Sequence, residues 1–287
     1  MRTAIGFFAA LAAVAIVANA QQPPVQVSHR ARAVAPGEIV LVEVSAHVPL
    51  QSVRAEWLGQ TVTFFQPDKG RWLGLAPIDL GAAPGRQVLS LTASTADGQT
   101  LAHKHAIVVA ARTFPARRIT VDPRFADPPA DALPRIEQER KTVEAVFAST
   151  TPERFWTDPF IVPVPGPSTS SFGRRTILNG RPRGQHSGAD FKAADKTPVA
   201  APNRGRIVLA ADHYFAGRTI IIDHGLGLYS YLAHLSELSV AESARVERGQ
   251  QVALSGSTGR VTGPHLHWTM RVGRARVDPL SLVAILK

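Results

Sequence analysis

Six of the ten histidines fall in roughly the last hundred residues: His186, His213, His224, His234, His265 and His267. Imidazole both ligates transition metals and exchanges a proton near neutral pH, so the spacing of these rings is the first signal of chemistry. His265 and His267 are the closest, in Pro264-His265-Leu266-His267-Trp268. Residues i and i+2 of a strand share a face. A strand here would turn both rings to one side and send Leu266, Trp268 and Met270 into a core. The pair alone is weak evidence, because ten histidines in 287 residues give about 0.35 such pairs by chance. A second pair, His103 and His105 in Ala102-His103-Lys104-His105-Ala106, has no carboxylate motif beside it and reads as solvent-facing strand.

What sets the C-terminal pair apart is His186-Ser187-Gly188-Ala189-Asp190, which supplies an imidazole and a carboxylate within five residues. The chain has no cysteine, so metal ligands must be His, Asp or Glu. Thiol nucleophiles, disulfide scaffolds and cysteine-borne lipid anchors are excluded. Together with His267 the motif offers two nitrogens and one oxygen. Three protein ligands with a fourth position left to water is the pattern of a catalytic zinc, and a single carboxylate keeps such a centre a useful Lewis acid. His224, in Asp223-His224-Gly225, reads as a structural residue in a turn at a strand end, and His213 beside Tyr214 as a loop residue. Residues 256–263 lack the GK[ST] ending of a phosphate loop and read as a flexible wall of a cleft.

Taken in order, His186-Ser187-Gly188-Ala189-Asp190, Tyr231-Leu232-Ala233-His234-Leu235, Ser257-Thr258-Gly259 and Gly263-Pro264-His265-Leu266-His267-Trp268 resemble the lysostaphin-type (LytM-type) zinc metallopeptidases, which cut the peptides of bacterial cell walls. Ser171-Phe172-Gly173-Arg174-Arg175 and Asn179-Gly180 are similar to the opening segment of that family, and residues 198–205 and Asp278-Pro279 also fit. The resemblance covers about residues 158–280. It implies that His186, Asp190 and His267 bind one Zn2+ per chain. It also implies that His234 and His265 are the two non-ligand catalytic histidines, free to titrate near neutrality. Asn179 either approaches the metal in a latent state or makes a turn. The implied activity is hydrolysis of peptide cross-links in peptidoglycan. The alternatives are an inactive wall-binding or amidase-activating protein of the same fold, and a secreted protease acting on glycine-rich proteins.

These residues need a rigid frame. With 45% apolar and 19% charged residues the chain lies in the globular range, and its length suits about two domains. β-type runs at 39–44, 53–58, 61–65, 88–92 and 106–110, broken by Pro-Gly and Asp-Gly turns, predict an N-terminal immunoglobulin-like sandwich over 21–111. Trp57 and Trp72 belong in its core. Residues 112–150 form a linker, Pro- and Asp-rich over 125–134 and therefore poor in contacts, which ends in a short amphipathic helix over 134–147. Runs at 206–210, 219–223, 228–233, 251–254 and 266–272 predict an antiparallel β metallopeptidase domain over 151–287. The fold class is all-β.

Residues 1–20 read as a secretory signal: Arg2, an apolar run, then Ala18-Asn19-Ala20 at the cleavage site. The run is too short to span a bilayer, so a periplasmic or secreted protein without a stable membrane anchor is expected. Removing Arg2 lowers the formal charge from +10 to +9. Outside a cell such a surface concentrates the protein on anionic envelope polymers. Nucleic acid is not expected, because no helix-turn-helix or aromatic stacking motif accompanies the charge.

Overall fold

Period-two alternation runs through the N-terminal third of the chain and gives seven strands. The computed structural model describes residues 25–169 and 171–286; the expected signal, 1–20, lies outside them. The strands are β1 (Val25–Ala31), β2 (Ile39–Ala46), β3 (Leu50–Trp57), β4 (Gln60–Asp68), β5 (Arg71–Pro77), β6 (Gly85–Thr95) and β7 (Thr100–Val109). All neighbours are antiparallel, in the order β1-β2-β5-β4-β3-β6-β7. β4 pairs with β3 through residues 60–63 and with β5 through Phe64, Phe65 and Asp68, which makes the ladder continuous. Its inner residues, from Val25 of β1 to Val109 of β7, share one core around Trp57, with Trp72 packed half-buried against it. The two edges meet where His29 Nδ1 lies 2.7 Å from His105 Nε2.

The connecting segment contains β8 (Ala116–Ile119), α1 (Pro123–Ala126) and α2 (Leu133–Ala148), and is followed by β9 (Arg175–Leu178) and β10 (Arg181–Gln185). α2 carries Pro134 in its first turn, as expected. Phe147 at its far end is buried with Leu209, Ile221 and Tyr229. The segment is not poor in contacts, contrary to its composition. β8 pairs with β9, and Asn179 clamps Val121. The β8–β9 pair is parallel, a departure from the antiparallel pattern. The long connection between the two strands permits it.

The remaining strands are β11 (Ala189–Phe191), β12 (Pro198–Ala200), β13 (Gly205–His213), β14 (Gly217–Gly225), β15 (Leu228–Leu238), β16 (Arg245–Val246), β17 (Gln251–Ser255), β18 (Leu266–Val272) and β19 (Ala275–Val277), before α3 (Pro279–Ile285). They form a nine-stranded sheet with the main path β11-β18-β15-β14-β13-β16. Among the described residues every ladder within it is antiparallel. Among the described residues no helix is long and apolar enough to cross a membrane.

The two halves share a core. Ile39, Leu41, Leu73 and Leu75 point away from the N-terminal core and pack with Trp156, Val272, Val277 and Leu282. Ile39 N donates to Ser281 Oγ at 2.9 Å, and Asp278 N donates to the Gly37 carbonyl at 2.7 Å. Beside this seam Glu38, 1% exposed, accepts from Arg32 at 2.7 and 3.0 Å and from Arg112 at 2.8 Å. Arg32 also reaches Asp278 at 2.6 Å. Removing Glu38 would leave Arg112 without its carboxylate and Arg32 with Asp278 alone, and an uncompensated, partly buried charge is costly. Glu38→Ala should therefore cost about 3–5 kcal/mol, measured by urea unfolding, with Glu38→Gln costing less.

Candidate metal centre

Strand register alone brings two of the predicted residues together. β18 lies between β11 and β15, and Asp190 stands directly opposite His267. Leu266, Trp268 and Met270 are fully buried on the other face, as the strand reading requires. His186 joins from the turn between β10 and β11. Gly188 allows this, because a Cβ there would lie 2.7 Å from the His267 ring and 2.6 Å from Thr269 Oγ1. His186 Nε2 is 3.0 Å from His267 Nδ1 and 3.1 Å from Asp190 Oδ1, and His267 Nδ1 is 2.9 Å from the same oxygen.

Each ring is oriented by its other nitrogen. His186 Nδ1 is 3.2 Å from the Ser171 carbonyl and donates to it, so that Nε2 presents a lone pair. His267 Nε2 is 2.9 Å from Thr269 Oγ1, which frees Nδ1 in the same way. Three donor atoms thus converge at separations near those of tetrahedral zinc ligands, about 3.3 Å for bonds of about 2.0 Å. Among the described residues this is the only group of three metal-competent side chains. The residues fit a zinc ion.

His234 arrives by a β-bulge. Arg218 pairs with Leu235 and Ile220 with Leu232, so two residues of β15 oppose Thr219 alone. His234 adopts φ 64°, and its ring centroid lies 4.9 Å from that of His265 and 5.8 Å from that of His267. Its Nδ1 donates to the Thr258 carbonyl at 2.9 Å. His265 Nδ1 donates to the Gly263 carbonyl at 2.8 Å, and its Nε2 lies 3.8 Å from Asp190 Oδ1. Desolvation, then the charges of His267 and His265, push His234 down to about 3. Burial thus favours the neutral form of this ring. Desolvation likewise pushes His186 down to about 4. Burial alone would push the Asp190 carboxyl up, but the polar groups crowded around it hold it below the usual carboxylate range.

The cleft above these groups has a volume of about 330 Å³ and is also lined by Ile119, Val121, Phe215 and Tyr231. Sequence reasoning missed Arg117, whose Nη1 lies 3.2 Å from Asp190 Oδ2. It also missed Ser171, whose Oγ accepts from Asp190 N at 2.8 Å. Arg117 sits in the connecting segment with no motif around it, so only its tertiary position reveals it. The wall at 256–263 is pinned rather than flexible. Thr258 Oγ1 accepts from Arg218 N and donates to the Leu235 carbonyl, and Arg260 N donates to Phe215 O. Asn179 takes the turn role, with φ 47° and both side-chain atoms bonded to Val121. His103 and His105 lie on the N-terminal unit with His29, away from this centre. His213 is a buried residue at the end of β13 rather than a loop residue.

His224 is structural. It is fully buried near the end of β14, with Nδ1 2.6 Å from the Arg204 carbonyl and Nε2 2.9 Å from Ser230 Oγ. Desolvation pushes it down from 6.5 to about 4. In that window the unfolded chain binds a proton here that the folded chain does not. Stability from this group is therefore complete above pH 6.5 and lost as pH falls towards 4, by up to about 1.4 kcal/mol per unit. Urea unfolding of the wild type and His224→Asn at pH 7.5, 6 and 5 should show a shallower slope in the variant.

The model of Peptidase family M23 matches residues 184–279. Peptidoglycan DD-endopeptidase ShyA of Vibrio cholerae is 42% identical over 96 residues, 33% of this chain and 22% of that protein. DD-carboxypeptidase/endopeptidase Mpg of Neisseria meningitidis is 39% identical over 97 residues, 34% and 22% of the two chains. The chain thus spans about a fifth of the length of these curated relatives. A crystal structure from Pseudomonas aeruginosa assigned to peptidase M23 superposes with a TM-score of 0.68 at 30% identity, covering 87% of this chain and 95% of that one.

Proposed function

The chain belongs to peptidase family M23, and from that premise we propose that it is a zinc-dependent endopeptidase that hydrolyses peptide cross-links of bacterial peptidoglycan. The observation that carries this reading is the donor triangle of His186, Asp190 and His267, flanked by two further imidazoles whose Nδ1 atoms are held by backbone carbonyls. The names of ShyA and Mpg support a cross-link as the scissile bond, and D-alanyl-diaminopimelate is our first choice. The net charge of +9 expected after loss of Arg2 favours retention on an anionic envelope. Action in the periplasm or after secretion follows from the substrate.

We assign one zinc per chain to His186, Asp190 and His267. When bound, zinc supplies the Lewis acidity that activates water and polarises a peptide carbonyl. The chain's own groups do the rest. His234 and His265 each line the cleft with Nδ1–H committed to a backbone carbonyl, so Nε2 can accept a proton or a hydrogen bond and, once protonated, can donate to a developing oxyanion. Because its Nδ1–H is taken by the Thr258 carbonyl and burial favours its neutral form, His234 enters the reaction as an acceptor. Arg117 holds Asp190 Oδ2 and leaves Oδ1 facing the imidazoles.

We take residues 151–287 as the catalytic domain and 112–150 as a connecting segment that contributes Arg117. For 21–111 we keep an immunoglobulin-like sandwich, which the seven antiparallel strands support.

Zinc content and cross-link cleavage of five variants test the assignment. His186→Ala, Asp190→Ala and His267→Ala should lose zinc and turnover together. His234→Ala and His265→Ala should keep zinc and lose about 10² to 10⁴ in rate. Zinc loss in His265→Ala with retention in His267→Ala would reverse the roles. Mass spectrometry of fragments from defined sacculi tests the substrate; release of glycan-only fragments would sink the peptidase reading.

A further inference from the structure

Three guanidinium groups line the cleft, and two of them are already engaged. Arg117 pairs with Asp190 at 3.2 Å. Arg183 donates to the Ala126 carbonyl at 2.6 Å and lies 3.4 Å from Asp127 Oδ1. Arg260 has no carboxylate partner among the described residues. Its guanidinium carbon lies 4.7 Å from the ring centroid of Phe215, a contact that orients the fork without neutralising it. The backbone beneath it is fixed. Arg260 N donates to the Phe215 carbonyl at 2.8 Å. The preceding Gly259, at φ 75°, packs so closely that a Cβ would lie 2.4 Å from Gly217 N. Desolvation, and then the like charges of Arg183 and Arg117, lower the pKa of Arg260. An anion is what this end of the cleft lacks.

A planar, oriented guanidinium without a partner matches a carboxylate in bidentate geometry. We propose that Arg260 anchors a free carboxylate borne on the residue next to the scissile bond, and so selects cross-links that carry one. This rests on the peptidase reading above. In a D-alanyl-diaminopimelate cross-link the amine of the scissile amide sits on a carbon that also carries a free carboxylate, whereas a glycyl-glycine bridge has none there. The carboxylate binds without being transformed.

The test uses the full-length zinc-loaded chain and two synthetic D-alanyl-diaminopimelate peptides. They are identical except that the carboxylate beside the scissile amide is free in one and a carboxamide in the other. Wild type should prefer the carboxylate by about 10- to 100-fold in kcat/KM, mostly through KM. Arg260→Gln should bring the ratio to within about threefold of one, and Arg260→Lys should restore part of it. The ratio is taken within one protein, so partial misfolding of a variant cancels. Equal cleavage of both peptides by wild type, or an undiminished preference in Arg260→Gln, overturns the anchor and leaves the peptidase intact. Cleavage of neither peptide by wild type holding one zinc overturns the peptidase reading and the anchor with it.

Discussion

Three lone pairs are made to face one another within about 3 Å: Asp190 Oδ1, His186 Nε2 and His267 Nδ1. Such acceptors repel unless a cation or a proton lies among them, so the arrangement persists only if the surrounding structure holds it. The Ser171 carbonyl and Thr269 Oγ1 fix the two ring tautomers. Arg117 takes the other carboxylate oxygen. The fully buried row Leu266, Trp268 and Met270 anchors β18 from behind. Much of the C-terminal half serves to keep these three atoms close. The bulge at His234 and the pinned loop at 256–263 then bring up the two remaining rings.

The frame extends beyond the nine-stranded sheet. β8 adds a parallel strand to β9 and carries Arg117 to the centre. α3 seals the far side: Ser281 Oγ accepts from Ile39 N of β2, and the N–H of its cap, Asp278, donates to the Gly37 carbonyl in the turn before β2. Ile39 and Leu41 of β2 and Leu73 and Leu75 of β5 pack into the same core as the nine-stranded sheet.

The chemistry was more legible in the sequence than the wiring. The HxH pair could be read because a period-two strand puts i and i+2 on one face whatever the tertiary context, and β18 follows its expected bounds, Leu266–Val272; Asp190 stood out through its five-residue motif with His186. α2 was legible through Pro134 and the apolar spacing that ends in Phe147. Arg117 was not, since a lone arginine in a Pro- and Asp-rich stretch carries no local signal and acquires its role from a parallel pairing across more than fifty residues. The low pKa of His234 was equally hidden, because it follows from desolvation and from two neighbouring rings distant in sequence. β1 and β5 went unseen among the predicted runs. In β5, Arg71-Trp72-Leu73-Gly74-Leu75 breaks the alternation because the strand is buried against both cores.

That double burial bears on how such a protein can change over generations. Ile39 and Leu41 alternate with Val40 and Val42 along β2, the first pair given to the peptidase and the second to the N-terminal unit. A recombination event that replaced this unit with another module would expose the peptidase face of that seam and remove the carbonyl and carboxylate that hold Asp278 and Arg112. Exchange of this unit would therefore have to preserve the apolar face of β2 and the Gly37 and Glu38 contacts, a constraint that substitutions on the cleft wall do not carry.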